Sequence, residues 1–193
     1  MEVDAPLLST AEIGRIARRI DRPIVLVGMM GVGKTTVGRK LSHLLHIPFV
    51  DADEEIERAA QMSIPEIFET YGEPYFRNGE RRVIARLIGD GAGPNRKIIA
   101  TGGGAFCDPE TRELALRHGI AVWVDSELDT LLERVARKDN RPLLRNGNPR
   151  EVLTRLREER RPFYAQAPIH VMSGTHPNQV TANRILKAID SWL

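Results

Sequence analysis

The sequence predicts an α/β fold: a parallel sheet with helices in layers on either side, organised around one phosphate-binding loop. Three observations predict it. Pro23-Ile24-Val25-Leu26-Val27 is a short apolar run of the kind that forms a strand buried on both faces. Gly28-Met29-Met30-Gly31-Val32-Gly33-Lys34-Thr35 follows it with the spacing G-x-x-x-x-G-K-T. A segment that places Val37, Leu41, Leu44 and Leu45 on one helical face comes next. Strand, glycine loop and helix in that order make a P-loop. Its glycines let the backbone curl so that successive N–H groups meet phosphate oxygens, and the helix N-terminus adds partial positive charge. Lys34 is placed to reach the outer phosphates and the Thr35 hydroxyl to meet Mg²⁺. The alternative, a glycine turn beside a solvated lysine, does not account for the flanking strand and helix.

The rest of the chain surrounds that unit. Ser9-Thr10-Ala11-Glu12 is a capping box, and Ile13, Ile16, Ala17 and Ile20 continue it at helical spacing, predicting a helix ahead of the first strand. Ile47-Pro48-Phe49-Val50 predicts the second strand, with Asp51 and Asp53 at its carboxyl end. The two acids either cap the helix expected over Glu54–Ala60 or face a ligand. Ligands of open parallel sheets bind beyond the carboxyl ends of strands, which favours the second. Ser63-Ile64-Pro65-Glu66 opens another helix that Gly72 ends, and a long helix follows, carrying Arg77, Glu80, Val83, Ile84, Leu87 and Ile88. A crossover needs only one helix, so the pair suggests a substrate-binding insertion at about 52–92.

Lys97–Thr101 predicts the third strand, running into Gly102-Gly103-Gly104, more glycine than a tight turn needs and suited to close backbone approach to a ligand. Cys107 just beyond reads as a small buried residue. Asp108-Pro109 opens a helix that Gly119 ends, and Ile120–Val124 predicts the fourth strand. Asp125 then resembles a Walker-B acid, but capping the helix expected over Glu127–Arg137 is the preferred interpretation. About 137–150 is polar, with Arg141-Pro142-Leu143-Leu144 at its centre, and loops of that length in compact domains commonly serve as lids. Pro149 opens a charged helix, Ile169–Met172 predicts the fifth strand, and Pro177 opens a last helix.

At 193 residues the chain fits one domain, 1–193, with 1–21 as a helical extension. A formal net charge of +2 gives no electrostatic argument for nucleic acid or membrane partners, and no apolar run has the length of a membrane span. One cysteine excludes an internal disulfide. Met1–Thr10 holds two acids and no base, unlike a signal peptide, so a cytoplasmic protein is expected.

From about Ile24 to its end the chain resembles the shikimate kinase family. The resemblance rests on Asp51-x-Asp53 after the second strand, Gly72-Glu-x-x-Phe-Arg-x-x-Glu80, Gly102-Gly103-Gly104, Arg141-Pro-Leu-Leu and Arg160-x-Pro-x-Tyr164, in that order. It implies a P-loop three-layer sandwich with a five-stranded parallel sheet in the order 2-3-1-4-5. The implied activity is ATP-dependent phosphorylation of the shikimate 3-hydroxyl, toward aromatic amino acids. By the same resemblance Gly31, Val32, Gly33, Lys34, Thr35 and Thr36 hold the ATP phosphates. Thr35 and Asp51 serve Mg²⁺, Arg134 lies against adenine, and Arg141 is the lid arginine. Shikimate falls to Asp53, Arg77, Gly102, Gly103, Gly104 and Arg160, with Asp53, Lys34 and Arg141 catalytic. The implied partners are ATP and shikimate alone, and a monomer is expected.

The chemistry of the residues agrees. A small anionic triol needs guanidinium groups for its carboxylate and acceptors for its hydroxyls, and Arg77, Arg160 and Asp53 supply them. Arg77 could instead be a helix-surface partner of Glu80 at i+3, and Glu80 could hold it in place for a ligand. Two rivals are a P-loop kinase of gluconate or nucleoside monophosphates, and a nucleotide-binding regulator without catalysis. Paired arginines with Asp-x-Asp suit a carboxylate-bearing polyol rather than a base. A retained Lys34, Asp53 and Arg141 argue against the second.

Overall fold

The structure, a computed structural model, describes residues 7–93, 95–136 and 148–193. Of the expected lid, 137–147 with Arg141 lies outside the described residues. The sheet is five parallel strands in the order β2-β3-β1-β4-β5: β1 Ile24–Val27, β2 Phe49–Asp51, β3 Ile98–Ala100, β4 Ile120–Asp125 and β5 Ile169–Met172. Every residue of β1, β3 and β4 is buried, as befits central strands covered on both faces.

The helices are α1 Thr10–Arg19, α2 Lys34–Leu45, α3 Ala52–Ala60, α4 Ile64–Ile88, α5 Pro109–His118, α6 Leu128–Ala136, α7 Pro149–Tyr164 and α8 Asn178–Trp192, with a 3-10 turn at Ala105–Cys107. Helices α1, α2 and α8 pack together, and α4, α5 and α7 gather around the 3-10 turn, giving the expected α/β architecture of helices layered about the parallel sheet. The capping boxes at Ser9 and Ser63 both form. Gly72, at φ 80° and ψ 171°, is non-helical and disfavours any side chain, so α4 consists of the two expected helices, meeting at a sharp kink at that glycine.

The extension is bound to the core. Ile16 and Ile20 are fully buried, Arg15 and Arg19 pair with Asp190 of α8, and Leu8 N–H donates to Asn183 Oδ1.

The structure corrects the expectation for Asp125. Helix α6 begins at Leu128, too far along the chain for Asp125 to be its cap. The Asp125 carboxylate accepts from the adjacent Ser126 N–H and faces His170 Nε2 at 3.4 Å and Arg157 Nη2 at 3.7 Å. Parallel pairing of β4 with β5 brings His170 there, and sequence spacing carries no trace of it.

Candidate active site

Three adjacent strands deliver the site. β2, β3 and β1 lie side by side and end on the same edge, where the chain continues as Asp51-Ala52-Asp53, Gly102-Gly103-Gly104 and the P-loop, respectively. A cavity of about 810 Å³ opens there.

One end of it is built by α2. Gly33, at φ 95°, turns the chain into the helix, whose first residues are Lys34, Thr35 and Thr36. Lys34 is 8% exposed, and its ammonium donates to Gly28 O at 2.7 Å and Met29 O at 2.9 Å. Thr35 Oγ1 donates to Asp51 Oδ2 at 2.8 Å, while Asp51 Oδ1 accepts from Asp53 N–H at 3.0 Å. One carboxylate thus does both jobs weighed from the sequence: it caps α3 and faces the Thr35 hydroxyl. Asp53 is no cap. It sits in the first turn of α3 and lines the cavity.

Asp53 is the most perturbed acid of the site. Burial, then the neighbouring carboxylates of Asp51 and Glu80, push it up to about 6, against the pull of Lys34. Glu80, 3% exposed, is likewise raised by burial, although Arg77 Nη1 donates to its Oε2 at 2.7 Å. Its Oε1 has no hydrogen-bond partner among the described residues. Burial disfavours the Arg77 guanidinium, but Glu80 and Glu73 outweigh it and raise its pKa. The i+3 pair therefore exists and is no surface pair: its carboxylate is buried and its arginine lines the cavity.

The glycine triplet faces a different functional group at each position. A Cβ on Gly102 would lie 2.5 Å from Glu80 Oε1 and 3.0 Å from Asp53 Oδ1. On Gly103 it would lie 3.1 Å from Met30 N and 3.4 Å from Arg160 Nη1, and on Gly104 it would lie 2.8 Å from Arg77 Nη1. Close approach, not an unusual dihedral, favours glycine at these positions, since a side chain would displace Glu80, Arg160 or Arg77. Arg160 reaches the cavity from the last turns of α7, and its Nη1 is buried with no hydrogen-bond partner among the described residues. Arg161 turns elsewhere, its guanidinium 5.9 Å from the centre of the Trp123 ring.

Arg134 lines the same cavity and donates to Val32 O at 3.1 Å, Ser173 Oγ at 3.2 Å and Gly174 O at 2.5 Å. It ties the P-loop to the turn between β5 and α8. The Val32 side chain is fully buried in the core, its carbonyl accepts from Arg134, and a P-loop residue meets phosphate through its backbone. Cys107 is half-buried, and burial holds its thiol above the ordinary range.

Sequence reasoning missed part of the lining. Glu57 stands one turn after Asp53 on α3 and shares the cavity, a relation that i+4 spacing could have shown. Phe68 and Phe76, from the two limbs of α4, meet with ring centroids 4.8 Å apart and give the cavity an apolar wall. Only the kink at Gly72 brings them together.

The chain matches known proteins over nearly all its length. The family model described as shikimate kinase covers residues 30–190. A shikimate kinase of Novosphingobium aromaticivorans is 75% identical over 193 residues, the whole of both chains. Among solved structures, shikimate kinase from Acinetobacter baumannii in complex with shikimate is 38% identical with a TM-score of 0.83, over 91% of this chain and 97% of that one. Shikimate kinase from Bacteroides thetaiotaomicron is 29% identical with a TM-score of 0.78, over 88% of this chain and 98% of that one.

Proposed function

The chain belongs to the shikimate kinase family, and from that premise we propose how its own residues perform the reaction. The enzyme transfers the terminal phosphoryl group of ATP to the 3-hydroxyl of shikimate, giving shikimate 3-phosphate and ADP, a step in aromatic amino acid biosynthesis. One observation carries the residue assignment: a single cavity holds Lys34 and Thr35 at one end and Asp53, Arg77, Arg160 and the glycine triplet at the other.

Phosphoryl transfer passes through a loose transition state, so catalysis is chiefly positioning and neutralisation of charge. The P-loop amides from Gly31 to Thr36 and the Lys34 ammonium are the groups that meet the phosphates. Arg77 and Arg160 hold the shikimate carboxylate through charge-assisted bonds, with Glu80 fixing the Arg77 fork. Asp53 accepts the proton of the attacking hydroxyl. A carboxyl near pH 6 is largely ionised at neutral pH, yet more basic than an exposed aspartate, which suits a general base. Arg134 borders the adenine end, supported by its grip on the turn before α8.

Thr35 and Asp51 fit a magnesium ion, since a hydroxyl and a carboxylate oxygen, both hard donors, already stand 2.8 Å apart beside Lys34. When bound with ATP, Mg²⁺ neutralises phosphate charge. Arg141, outside the described residues, completes the set on resemblance alone as the arginine over the γ-phosphoryl. Within one kinase domain, 1–193, α1 is the extension, α3 and α4 the substrate-binding helices, and 137–150 the lid. A cytoplasmic monomer fits an enzyme of two small soluble substrates; among the described residues no helix is long and apolar enough to cross a membrane.

A coupled ADP-release assay over shikimate, gluconate and nucleoside monophosphates tests the assignment. Turnover with shikimate far above the others is expected. Comparable turnover on gluconate would overturn the substrate assignment.

A further inference from the structure

Helix α7 ends on Tyr164, one turn after Arg160. The ring is 1% exposed and packs beside Trp123, with centroids 6.0 Å apart. Its hydroxyl donates to Gly103 O and lies 3.8 Å from Met29 Sδ, and the Arg160 guanidinium comes against the same oxygen. One phenol therefore touches the P-loop, the glycine triplet and the guanidinium of a cavity-lining arginine. Burial holds its pKa above the ordinary range, so the hydroxyl stays protonated and acts as a donor.

The Gly103–Gly104 peptide has no Cβ on either side. Rotation of such a peptide plane, exchanging the directions of C=O and N–H, meets little steric resistance. The plane needs an external constraint, and the Tyr164 hydroxyl on the Gly103 carbonyl supplies one. The peptide is trans, so the Gly104 N–H points opposite to that carbonyl, away from the phenol. Both glycines line the cavity that Arg77 and Arg160 share.

We propose that Tyr164 is a positioning residue for the acceptor substrate: its hydroxyl fixes the Gly103–Gly104 peptide so that the Gly104 N–H is presented to an anionic or hydroxyl oxygen in the cavity. This rests on the assignment of that end of the cavity to shikimate. The hydroxyl acts through the backbone and touches no reacting atom. Its removal changes acceptor affinity more than nucleotide affinity.

Tyr164→Phe tests this, because the ring and its packing on Trp123 remain. The expected result is a rise of roughly three- to tenfold in the shikimate KM, the fold-change of one hydrogen bond of ordinary net strength, with the ATP KM within twofold. The Gly104 amide resonance is expected to move in the ligand-free variant. A fall in Tm with both KM values unmoved, or an equal rise in both, overturns the proposal, since either means packing alone. If the variant does not fold, proton NMR of the unaltered enzyme decides: an exchange-protected Tyr164 hydroxyl proton is required, and rapid exchange overturns it. Failure of the unaltered enzyme to turn over shikimate would instead remove the substrate assignment, which the Gly104 and hydroxyl measurements do not use.

Discussion

Asp53→Asn is expected to make the protein more stable while removing most of its activity. The Asp53 carboxyl moves from 3.8 to about 6 on folding, because burial and the charges of Asp51 and Glu80 oppose its ionised form. A raised carboxyl pKa means that the folded state is penalised whenever the group is ionised. The penalty is absent below the unfolded pKa, grows as pH rises through the window between the two values, and is complete above about 6. At 1.36 kcal/mol per unit the full penalty is at most about 3 kcal/mol. The same relation leaves about 1.6 kcal/mol at pH 5 and about 0.6 kcal/mol at pH 4. Asparagine has the shape of the acid and never ionises. Urea unfolding of both proteins without ligands should therefore show the variant ahead by roughly 2–3 kcal/mol at pH 7.5, with the gap closing toward pH 4. Turnover should fall roughly 10²-fold or more, the range of a lost general base. In the unaltered enzyme kcat/KM should decline as pH drops through about 6. An asparagine variant no more stable than the parent at pH 7.5, or a gap that does not shrink on acidification, would refute the reasoning.

Other outcomes follow from the same geometry. Arg160→Ala should raise the shikimate KM by roughly ten- to a hundredfold, the scale of a charge-assisted hydrogen bond, and leave the ATP KM nearly unchanged. Arg161→Ala, whose guanidinium lies by Trp123, should move neither by more than a few-fold; steady-state kinetics on both variants checks this. Ile16→Ala should cost about 2–4 kcal/mol of unfolding free energy as a fully buried truncation, with both KM values kept, marking α1 as a packing element.

What the sequence revealed, and what it hid, divides along the range of the interactions. The P-loop, both capping boxes and the break at Gly72 are written within a few residues and were legible. Asp51 was legible only as a choice, because its two partners, the Asp53 N–H and the Thr35 hydroxyl, lie on different elements. Asp125 was misassigned because β5, remote in sequence, provides its His170 neighbour. Gly102-Gly103-Gly104 could be recognised as a close approach, but what approaches comes from α3, α4 and α7. The buried depth of Glu80 was hidden for the same reason: helical spacing shows its pair with Arg77 but not the wall of protein around it.

The adjacency of β1 and β3 has a consequence for the reaction distance. Leu26 pairs with Ala100, and Thr101 N–H donates to Leu26 O at 3.1 Å, so the strands that carry the P-loop and the glycine triplet are joined up to Thr101, next to the triplet, and Leu26, two residues before the P-loop. On the proposed assignment, the loops that hold phosphoryl donor and acceptor follow neighbouring strands of one sheet, spaced about 4.8 Å apart. The sheet serves as the ruler for the transfer. A slip of one rung would carry one loop about 3.3 Å past the other, far beyond the tolerance of an in-line displacement. Reaction geometry here is inherited from the most buried backbone in the molecule, so the separation of the two loops should survive any perturbation too mild to melt the sheet.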